Sequence, residues 1–298
     1  MTPFIFFDVP YKLFRKNIPN LTYVVARKFL GRIKAFCSPE HALKIVNLYQ
    51  ENIPFKGKTI LEIGPGNDIS TAILMIMQGA ERVYLVDKIS DFTDKGHNNE
   101  IEFIRAFQHK MMEEALIDEY PPQLVSDKIC FVDCYFTDSN PLFEALGGVK
   151  VDCIVSHQVL EHIDNLDEAF KNMRTILKQG GLMFHEIDFS DHTMHIFSKY
   201  SFLSFLNQNH SLAHLYYSDS LWRACNDTVR LNMNRNILPD YFMRFKRYGF
   251  TITRLFRTEV KRKQKIHSDI LFRIADDKLK NDDNLQLSSV SIQAKLDR

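Results

Sequence analysis

Between residues 58 and 189, short apolar strands alternate regularly with helical stretches, and this alternation is the feature that most constrains the fold. Helices are predicted between the strands at 69–79, 100–117, 140–146 and 165–178. Nearly continuous apolar strands separated by helices are typical of a parallel sheet covered on both faces. The sequence therefore predicts a doubly wound, mostly parallel α/β sheet. The strand candidates of this stretch are Thr59–Ile63, Arg82–Val86, Ile129–Val132, Val151–Val155 and Leu182–Ile187.

Stretches that are predicted to be helical flank this alternation. Residues 1–56 form an N-terminal helical segment, because apolar residues recur at helical spacing within 39–52. Residues 190–247 are rich in aromatic side chains and are predicted to form a helical insertion within a domain of residues 57–298. As a lid, this insertion would cover the carboxyl edge of the sheet, where open α/β sheets bind ligands. Two further strands are predicted at Gly249–Phe256 and Ser289–Lys295.

Charge and cysteine content narrow the classes of partner and compartment. The 298 residues include 38 basic and 37 acidic side chains, a net charge of +1 that gives no reason to expect a nucleic acid or an anionic membrane. The five cysteines form no C-x-x-C pair and are odd in number, which fits a reduced compartment better than a disulfide framework. The N-terminal residues lack the pattern of a signal peptide, and no stretch suits a membrane span. We therefore expect a soluble, cytoplasmic protein.

A glycine turn follows the first strand at Gly64-Pro65-Gly66, and a helix is predicted to begin near Ile69. Only 11 of the residues are glycine, below the usual share of about 7%, so each glycine is expected where the backbone requires it. Asp87 ends the next strand, 21 residues after Gly66. A carboxylate there can accept hydrogen bonds from both hydroxyls of a ribose. The pattern favours a nucleoside site over the alternative, a tight turn beside a surface acid.

The turn itself indicates which nucleoside is bound. A dinucleotide fingerprint would need a third glycine where Ile69 stands, and Pro65 separates the two glycines that are present. Glu62, just before the turn, would repel a phosphate and tolerate a cationic group. These residues predict a positively charged adenosine derivative rather than NAD.

Four segments, in order and spacing, resemble the successive motifs of class I S-adenosylmethionine-dependent methyltransferases, most closely the small-molecule branch with a V-L-E-H signature. They are LEIGPG at 61–66, VYLVD at 83–87, DCIVSHQVLEHI at 152–163 and LKQGGLMFHEID at 177–188. The resemblance covers about residues 59–189. It implies a Rossmann-like sheet of seven strands with the last strand antiparallel, and S-adenosylmethionine as the cofactor.

The resemblance also implies roles for individual residues. Residues of the turn surround the methionine part of the cofactor, Asp87 binds the ribose, and residues after the third strand lie beside the adenine. The residues that follow the fourth strand line the cofactor near its methyl group, and His162 belongs to the scaffold or the cofactor wall. Asp68 replaces the third glycine of the family. The implied cofactor residues are Glu62, Gly64, Pro65, Gly66, Asp87, Asp133, Cys134, Ser156, His157, Gln158 and His162.

A run of acids and histidines at 185–192 leads from the fifth strand over the carboxyl edge, where a methyl acceptor must lie. Methyl transfer to a hydroxyl needs alignment and a base of near-neutral pKa. His192 or His185, oriented by Asp188 or Asp191, would supply that base. The alternative is that these strand residues face the core and that Asp191 caps the next helix. His192 and His195 share a ligand-like spacing, but a third sure ligand is missing, so no metal is expected.

Polar residues set among the aromatic side chains of the insertion are candidates for contacting the methyl acceptor, chiefly Asp191, Trp222, Asn234 and Arg235. The sequence predicts methylation of a small molecule, first a hydroxyl oxygen of a sugar or secondary metabolite. The alternatives are N-methylation of a small amine, a protein or RNA methyltransferase, and a catalytically silent, cofactor-binding scaffold subunit. No nucleic acid or membrane partner is expected, and the oligomeric state stays open, a homodimer included.

Overall fold

The computed structural model describes residues 39–66, 69–88, 104–109, 111–112, 122–190, 213–216, 218–225, 233–259 and 287–297. The strands are β1 (Thr59–Ile63), β2 (Arg82–Val86), β3 (Ile129–Val132), β4 (Val151–His157), β5 (Leu177–Asp188), β6 (Phe250–Glu259) and β7 (Leu287–Leu296). The helices are α1 (Pro39–Gln50), α2 (Ser70–Met77), α3 (Pro122–Ser126), α4 (Ser139–Leu146), α5 (Leu166–Ile176), α6 (Asp219–Cys225) and α7 (Leu238–Arg247). Single 3-10 turns occur at Leu160–His162 and Ala213–Tyr216.

The seven strands form one sheet in the order β3-β2-β1-β4-β5-β7-β6. Neighbouring strands from β3 to β5 are parallel, and β7 runs antiparallel to both β5 and β6. The predicted fold class, a mostly parallel sheet with its last strand reversed, is confirmed. The strand order changes direction between β1 and β4, so their carboxyl ends flank the crevice where open α/β sheets bind ligands.

Both faces of the sheet are covered because the strands are apolar on both sides. One face packs against α1 and α2, with Tyr49 and Ile73 fully buried. The other face packs against α5 and α7, where the Phe170 and Phe245 rings meet edge to face at 4.9 Å. In α2 every residue except Met77 is buried, so this helix lies inside the protein directly behind the glycine turn.

Strands β1 to β3 have the predicted bounds, whereas the predicted start of β5 is wrong. The strand begins at Leu177, which pairs with Val151, and an irregularity follows before Cys153 pairs with Leu182. Gly180 adopts a φ of 72° within it. A Cβ at Gly181 would lie 2.8 Å from Leu177 and 2.9 Å from the carbonyl of Asp152. The residues before Leu182 therefore belong to the strand, in an irregular part where Gly181 is closely packed.

The flanking stretches contain helices where the structure describes them, whereas their division into an N-terminal segment and a lid over the carboxyl edge stays a prediction. Helix α1 falls within the N-terminal segment, of which residues 1–38 lie outside the described residues. Within the insertion, the 3-10 turn at Ala213–Tyr216, α6 and α7 are helical as predicted, while 191–212 and 226–232 are not described. The domain boundary near residue 56 stays a prediction. None of the helices in the described ranges is long and apolar enough to cross a membrane.

Candidate functional site

The glycine turn after β1 adopts the backbone conformation that its two glycines allow. Gly64 and Gly66 have φ values of 68° and 69°, in the left-handed region that favours glycine. A Cβ at Gly64 would lie 2.7 Å from both methyl carbons of Val159, whereas a Cβ at Gly66 would meet none of the described residues within 4 Å. Half-buried Pro65 stands between them. The turn is therefore packed at Gly64 against the residues that follow β4, and none of the described residues packs in the same way at Gly66.

Asp87 meets this turn directly. Its Oδ2 atom accepts a hydrogen bond of 2.9 Å from the backbone N–H of Gly66, which joins the end of β2 to the turn after β1. The backbone N–H of Asp87 in turn donates to the carbonyl of Val132 on β3. The two residues that the sequence places 21 positions apart are thus in contact at the crevice, as a ribose-binding carboxylate beside a glycine turn requires.

Glu62 lies beneath the turn, with only 4% of its surface exposed. Tyr49 of α1 donates from its hydroxyl to Oε1 at 3.3 Å, and Thr71 of α2 donates to Oε2 at 2.7 Å. Burial, reinforced by the Glu62 carboxylate, raises the pKa of Tyr49 well above its usual range. The phenol therefore stays a hydrogen-bond donor, and hydrogen bonds from two helices hold the carboxyl group of Glu62 in place.

Asp133 and Cys134 follow β3, next to the end of β2. Lys88 and Asp133 form an exposed ion pair, with Nζ and Oδ1 3.4 Å apart. The Cys134 side chain is buried, and burial raises the pKa of its thiol to about 11. Cys134 is thus an apolar wall residue rather than a nucleophile.

The residues at the end of β4 pair with those of β5. Ser156 and His185 share a buried hydrogen bond, with Oγ and Nδ1 2.8 Å apart. His157 Nε2 lies 3.1 Å from Glu186 Oε2. Gln158 has a φ of 55°, the left-handed region that non-glycine residues rarely adopt, and its N–H donates to the carbonyl of Glu186 at 2.8 Å. Beside the glycine turn, the backbone after β4 is thus held in a strained conformation by β5.

The structure describes two of the three predicted catalytic residues, His185 and Asp188. His185 is fully buried, and burial lowers the pKa of its imidazole to about 3. It is a neutral core residue, which argues against a role as base. Asp188 is nearly buried, and its Oδ1 accepts a 2.7 Å hydrogen bond from the N–H of Ser190, so it fixes the backbone at the end of β5. His192, like Asp191 and His195, lies outside the described residues.

Asn234 holds the residues that follow β4 in place through three hydrogen bonds. Its side-chain Nδ2 donates to the carbonyls of Leu160 and Ile163 at 2.7 and 2.9 Å, and its backbone N–H donates to the carbonyl of Glu161 at 2.7 Å. The half-buried His162 lies in the same 3-10 turn, where its N–H donates to Val159. These contacts favour a scaffold role for both residues over direct contact with a methyl acceptor.

The other two insertion candidates pack against each other. The Arg235 guanidinium lies 5.9 Å from the centre of the Trp222 ring, and Nη2 donates to the carbonyl of Leu215 at 3.3 Å. Trp222 is 8% exposed and contacts Met233. The pair stabilises the described part of the insertion, and a role in binding a methyl acceptor stays a prediction.

Comparison with protein families identifies the chain. A family model described as a methyltransferase domain matches residues 23–233, more than two thirds of the sequence. The chain belongs to this methyltransferase family. S-adenosylmethionine is accordingly the cofactor of the methyltransferase, as the sequence motifs imply. Comparison with the curated proteins found no match.

Several solved structures are similar to the methyltransferase at low identity. Magnesium protoporphyrin IX methyltransferase from Synechocystis, determined with bound SAH (S-adenosylhomocysteine), is 12% identical with a TM-score of 0.46, over 96% of this chain and 99% of that one. An S-adenosylmethionine-dependent methyltransferase from Mesorhizobium loti is 12% identical with a TM-score of 0.45, over 86% and 99%. Sequence identities and TM-scores this low say nothing about the methyl acceptor.

Glu161, inside the V-L-E-H signature, is a buried residue whose importance the sequence motifs did not reveal. Its side chain is 2% exposed, and neither carboxyl oxygen has a hydrogen-bond partner among the described residues. Burial, with the Asp188 carboxylate nearby, raises its pKa well above its usual range. The side chain therefore keeps its proton to a higher pH than an exposed glutamate does.

We expect Glu161→Gln to make the methyltransferase more stable at pH 8 but not at pH 4. In the unfolded chain a glutamate loses its proton at about pH 4.3, whereas folded Glu161 keeps its proton to a higher pH. Between the two pKa values the unfolded state binds fewer protons, so the free energy of unfolding falls as pH rises. Glutamine removes this loss, about 1.4 kcal/mol for each unit by which the pKa is raised.

Urea unfolding at several pH values measures this effect, with the exposed Glu144→Gln as the matched control. A Glu161→Gln variant whose stability relative to wild type does not change between pH 4 and pH 8 would contradict the prediction.

We expect Asn234→Asp to lower the free energy of unfolding by about 2 kcal/mol, because two carbonyls lose their donor and face a carboxylate oxygen. Asn236→Asp is the matched control, since Asn236 only accepts through its side chain, from Arg244 Nη1 at 3.0 Å. Chemical denaturation measures both. Equal stability of the two variants would mean that the side-chain hydrogen bonds of Asn234 to the 3-10 turn do not stabilise the protein.

Proposed function

We propose that the methyltransferase transfers the methyl group of S-adenosylmethionine to a hydroxyl oxygen of a small molecule, such as a sugar or secondary metabolite, with a histidine as base. Asp87 contacts Gly66 at the crevice between β1 and β4, and this contact is the main support for a cofactor site there. This contact brings the carboxylate that would bind the ribose to the glycine turn, where a Cβ at Gly66 would meet none of the described residues within 4 Å.

The residues of the crevice fit an adenosine-type cofactor with a positive charge. Asp87 and the open side of Gly66 would hold the ribose, and the buried carboxylate of Glu62 would face a cationic methionine part rather than a phosphate. Cys134 offers a neutral, buried wall beside the predicted adenine position. When bound, the cofactor supplies a methyl group activated by a positively charged sulfur.

The methyl acceptor is proposed to lie over the carboxyl ends of β4 and β5. His157, Gln158 and Glu186 are polar groups at these strand ends, and each is partly or fully accessible. The predicted roles of Asp191 and His192 remain part of the proposal as candidates for the same region. The net charge of +1 supports a small acceptor rather than RNA or a charged protein tail.

N-methylation of a small amine is the second candidate. Glu186, 20% exposed, lies at the proposed acceptor position near the end of β5. A carboxylate there favours binding of an amine, which is protonated in water, over a neutral hydroxyl. A neutral amine also needs less help from a base when it attacks the methyl carbon.

The proposal is tested by incubating the purified chain with methyl-labelled S-adenosylmethionine and a cell extract separated into small-molecule, protein and RNA fractions. We expect label in the small-molecule fraction, and mass spectrometry of the product distinguishes an O-methyl from an N-methyl group. Label confined to protein or RNA, or no transfer to any fraction, would reject the proposal.

A further inference from the structure

We propose that His157 is the base that accepts the proton of the methyl acceptor, with Glu186 as the residue that positions its imidazole. The inference rests on the proposed function and assigns the catalytic histidine to a residue that the sequence motifs placed only on the cofactor wall. It is carried by the pairing of the two side chains at the carboxyl ends of neighbouring strands.

The two residues are held together by the sheet itself. His157 and Glu186 are register partners on β4 and β5, and Nε2 lies 3.1 Å from Oε2. The next N–H, of Gln158, donates to the carbonyl of Glu186 at 2.8 Å, which fixes the backbone on both sides of the pair. Each side chain is 20% exposed, so the pair is partly sheltered yet reachable from the edge of the sheet.

The register also places His157 beside the cofactor turn. Glu62 of β1 pairs with Val155 of β4, so His157, two residues further along, lies at the level of Gly64. The closeness of Val159 to Gly64, 2.7 Å from a Cβ built there, agrees with this placement. The imidazole is therefore next to the part of the crevice in which the methionine part of the cofactor is proposed to lie.

The pairing sets the chemistry of the imidazole. With Nε2 3.1 Å from Oε2 of Glu186, the carboxylate favours the tautomer that carries its proton on Nε2, which would leave Nδ1 as the proton acceptor. Among the described residues, Nδ1 has no hydrogen-bond partner. This is the arrangement of an activated base, in which a carboxylate orients the ring and stabilises the imidazolium that forms.

Helix α1 forms a wall beside the same site. The His41 ring lies 6.0 Å from the His157 ring, edge to face at 86°. The methyl acceptor would therefore approach between α1 and the ends of β4 and β5, on the face of the sheet opposite to α7. His185 lies on the other side of β5, fully buried and bonded to Ser156, and cannot serve this position.

The proposed step balances without a further reactant. The hydroxyl oxygen of the methyl acceptor forms a bond to the methyl carbon while the carbon–sulfur bond breaks, and the electron pair of that bond stays on sulfur. The hydroxyl proton passes to Nδ1 of His157. The imidazolium, held by Glu186, later gives this proton to water.

The pairing is tested first by NMR on the full chain saturated with S-adenosylhomocysteine, using nitrogen-15 in the histidine rings. We expect His157 as the Nε2–H tautomer in the wild type, and loss of this tautomer preference in Glu186→Gln. The exposed control Glu144→Gln should leave the signals of His157 unchanged. A His157 ring that carries its proton on Nδ1, or that does not respond to Glu186→Gln, would overturn the assignment of Glu186.

The catalytic role is tested by the rate of label transfer to the small-molecule fraction. We expect His157→Asn to lower this rate at least about 100-fold, the contribution of a positioned base, with a change of no more than about threefold in affinity for S-adenosylhomocysteine. The control His109→Asn, at an exposed position outside the proposed site, should keep the wild-type rate.

The outcomes separate the two proposals. Full activity of His157→Asn would overturn the assignment of the base. The assignment would also fail if His192→Ala lost activity about 100-fold while His157→Asn did not. If the wild type transfers no methyl group, the proposed function is rejected instead. The base role of His157 then falls as well, whichever tautomer the NMR experiment finds.

Discussion

We expect Gly64→Ala to destabilise the methyltransferase by about 2–5 kcal/mol and to weaken binding of S-adenosylhomocysteine by more than about tenfold. Two effects add at this position. Alanine is strained at a φ of 68°, and its Cβ would lie 2.7 Å from both methyl carbons of Val159. A valine side chain has little rotamer freedom and cannot move aside cheaply. The turn or the residues after β4 would have to shift, and both belong to the proposed cofactor site.

Gly66→Ala is the matched control, because Gly66 has nearly the same φ but open space around its Cβ position. This variant should lose only the backbone term, about 1–2 kcal/mol. The double variant Gly64→Ala/Val159→Ala should recover part of the loss, which isolates the steric contribution. Urea unfolding measures all three. Equal destabilisation by the two glycine substitutions would mean that Val159 does not press on Gly64.

We expect Asp87→Ala to reduce affinity for S-adenosylhomocysteine about 100-fold, equivalent to ~2.7 kcal/mol. The substitution removes the carboxylate that is proposed to accept from the ribose hydroxyls. It also removes the 2.9 Å hydrogen bond to the N–H of Gly66, which holds the turn in place before the ligand arrives.

Equilibrium dialysis with labelled ligand measures the effect of Asp87→Ala. Asp127→Ala, an exposed aspartate at the end of α3, is the control and should bind as the wild type does. Wild-type affinity in Asp87→Ala would show that the carboxylate does not contact the ribose, and would move the proposed site away from the end of β2.

The parts of the fold that sequence could predict are those set by local pattern. The bounds of β1, β2 and β3 follow from short apolar runs that end at turn residues, which leaves little freedom in where a strand stops. Gly64, Gly66 and Asp87 could be singled out as a candidate site because a nucleoside site needs particular residue types at a particular spacing, and the structure brings Asp87 into contact with Gly66. The reversed β7 came from the resemblance to a family rather than from local pattern.

The parts that sequence could not predict depend on pairing between distant residues. His157 meets Glu186 only because of the register between β4 and β5, and that register contains an irregularity between Val151 and Cys153. Asn234 looked like a binding residue because it is polar among aromatic neighbours, yet its partners are carbonyls more than 70 positions away. His185 fits a base by residue type, and only its burial argues against that role.

Calorimetric titration of the full chain with S-adenosylmethionine, S-adenosylhomocysteine and NAD is the most direct test of the central claim, that the crevice beside Gly64, Gly66 and Asp87 holds a cationic adenosine cofactor. We expect one site per chain that binds the first two ligands in competition with each other and does not bind NAD. Absence of binding by both adenosyl ligands, or tighter binding of NAD, would contradict the account.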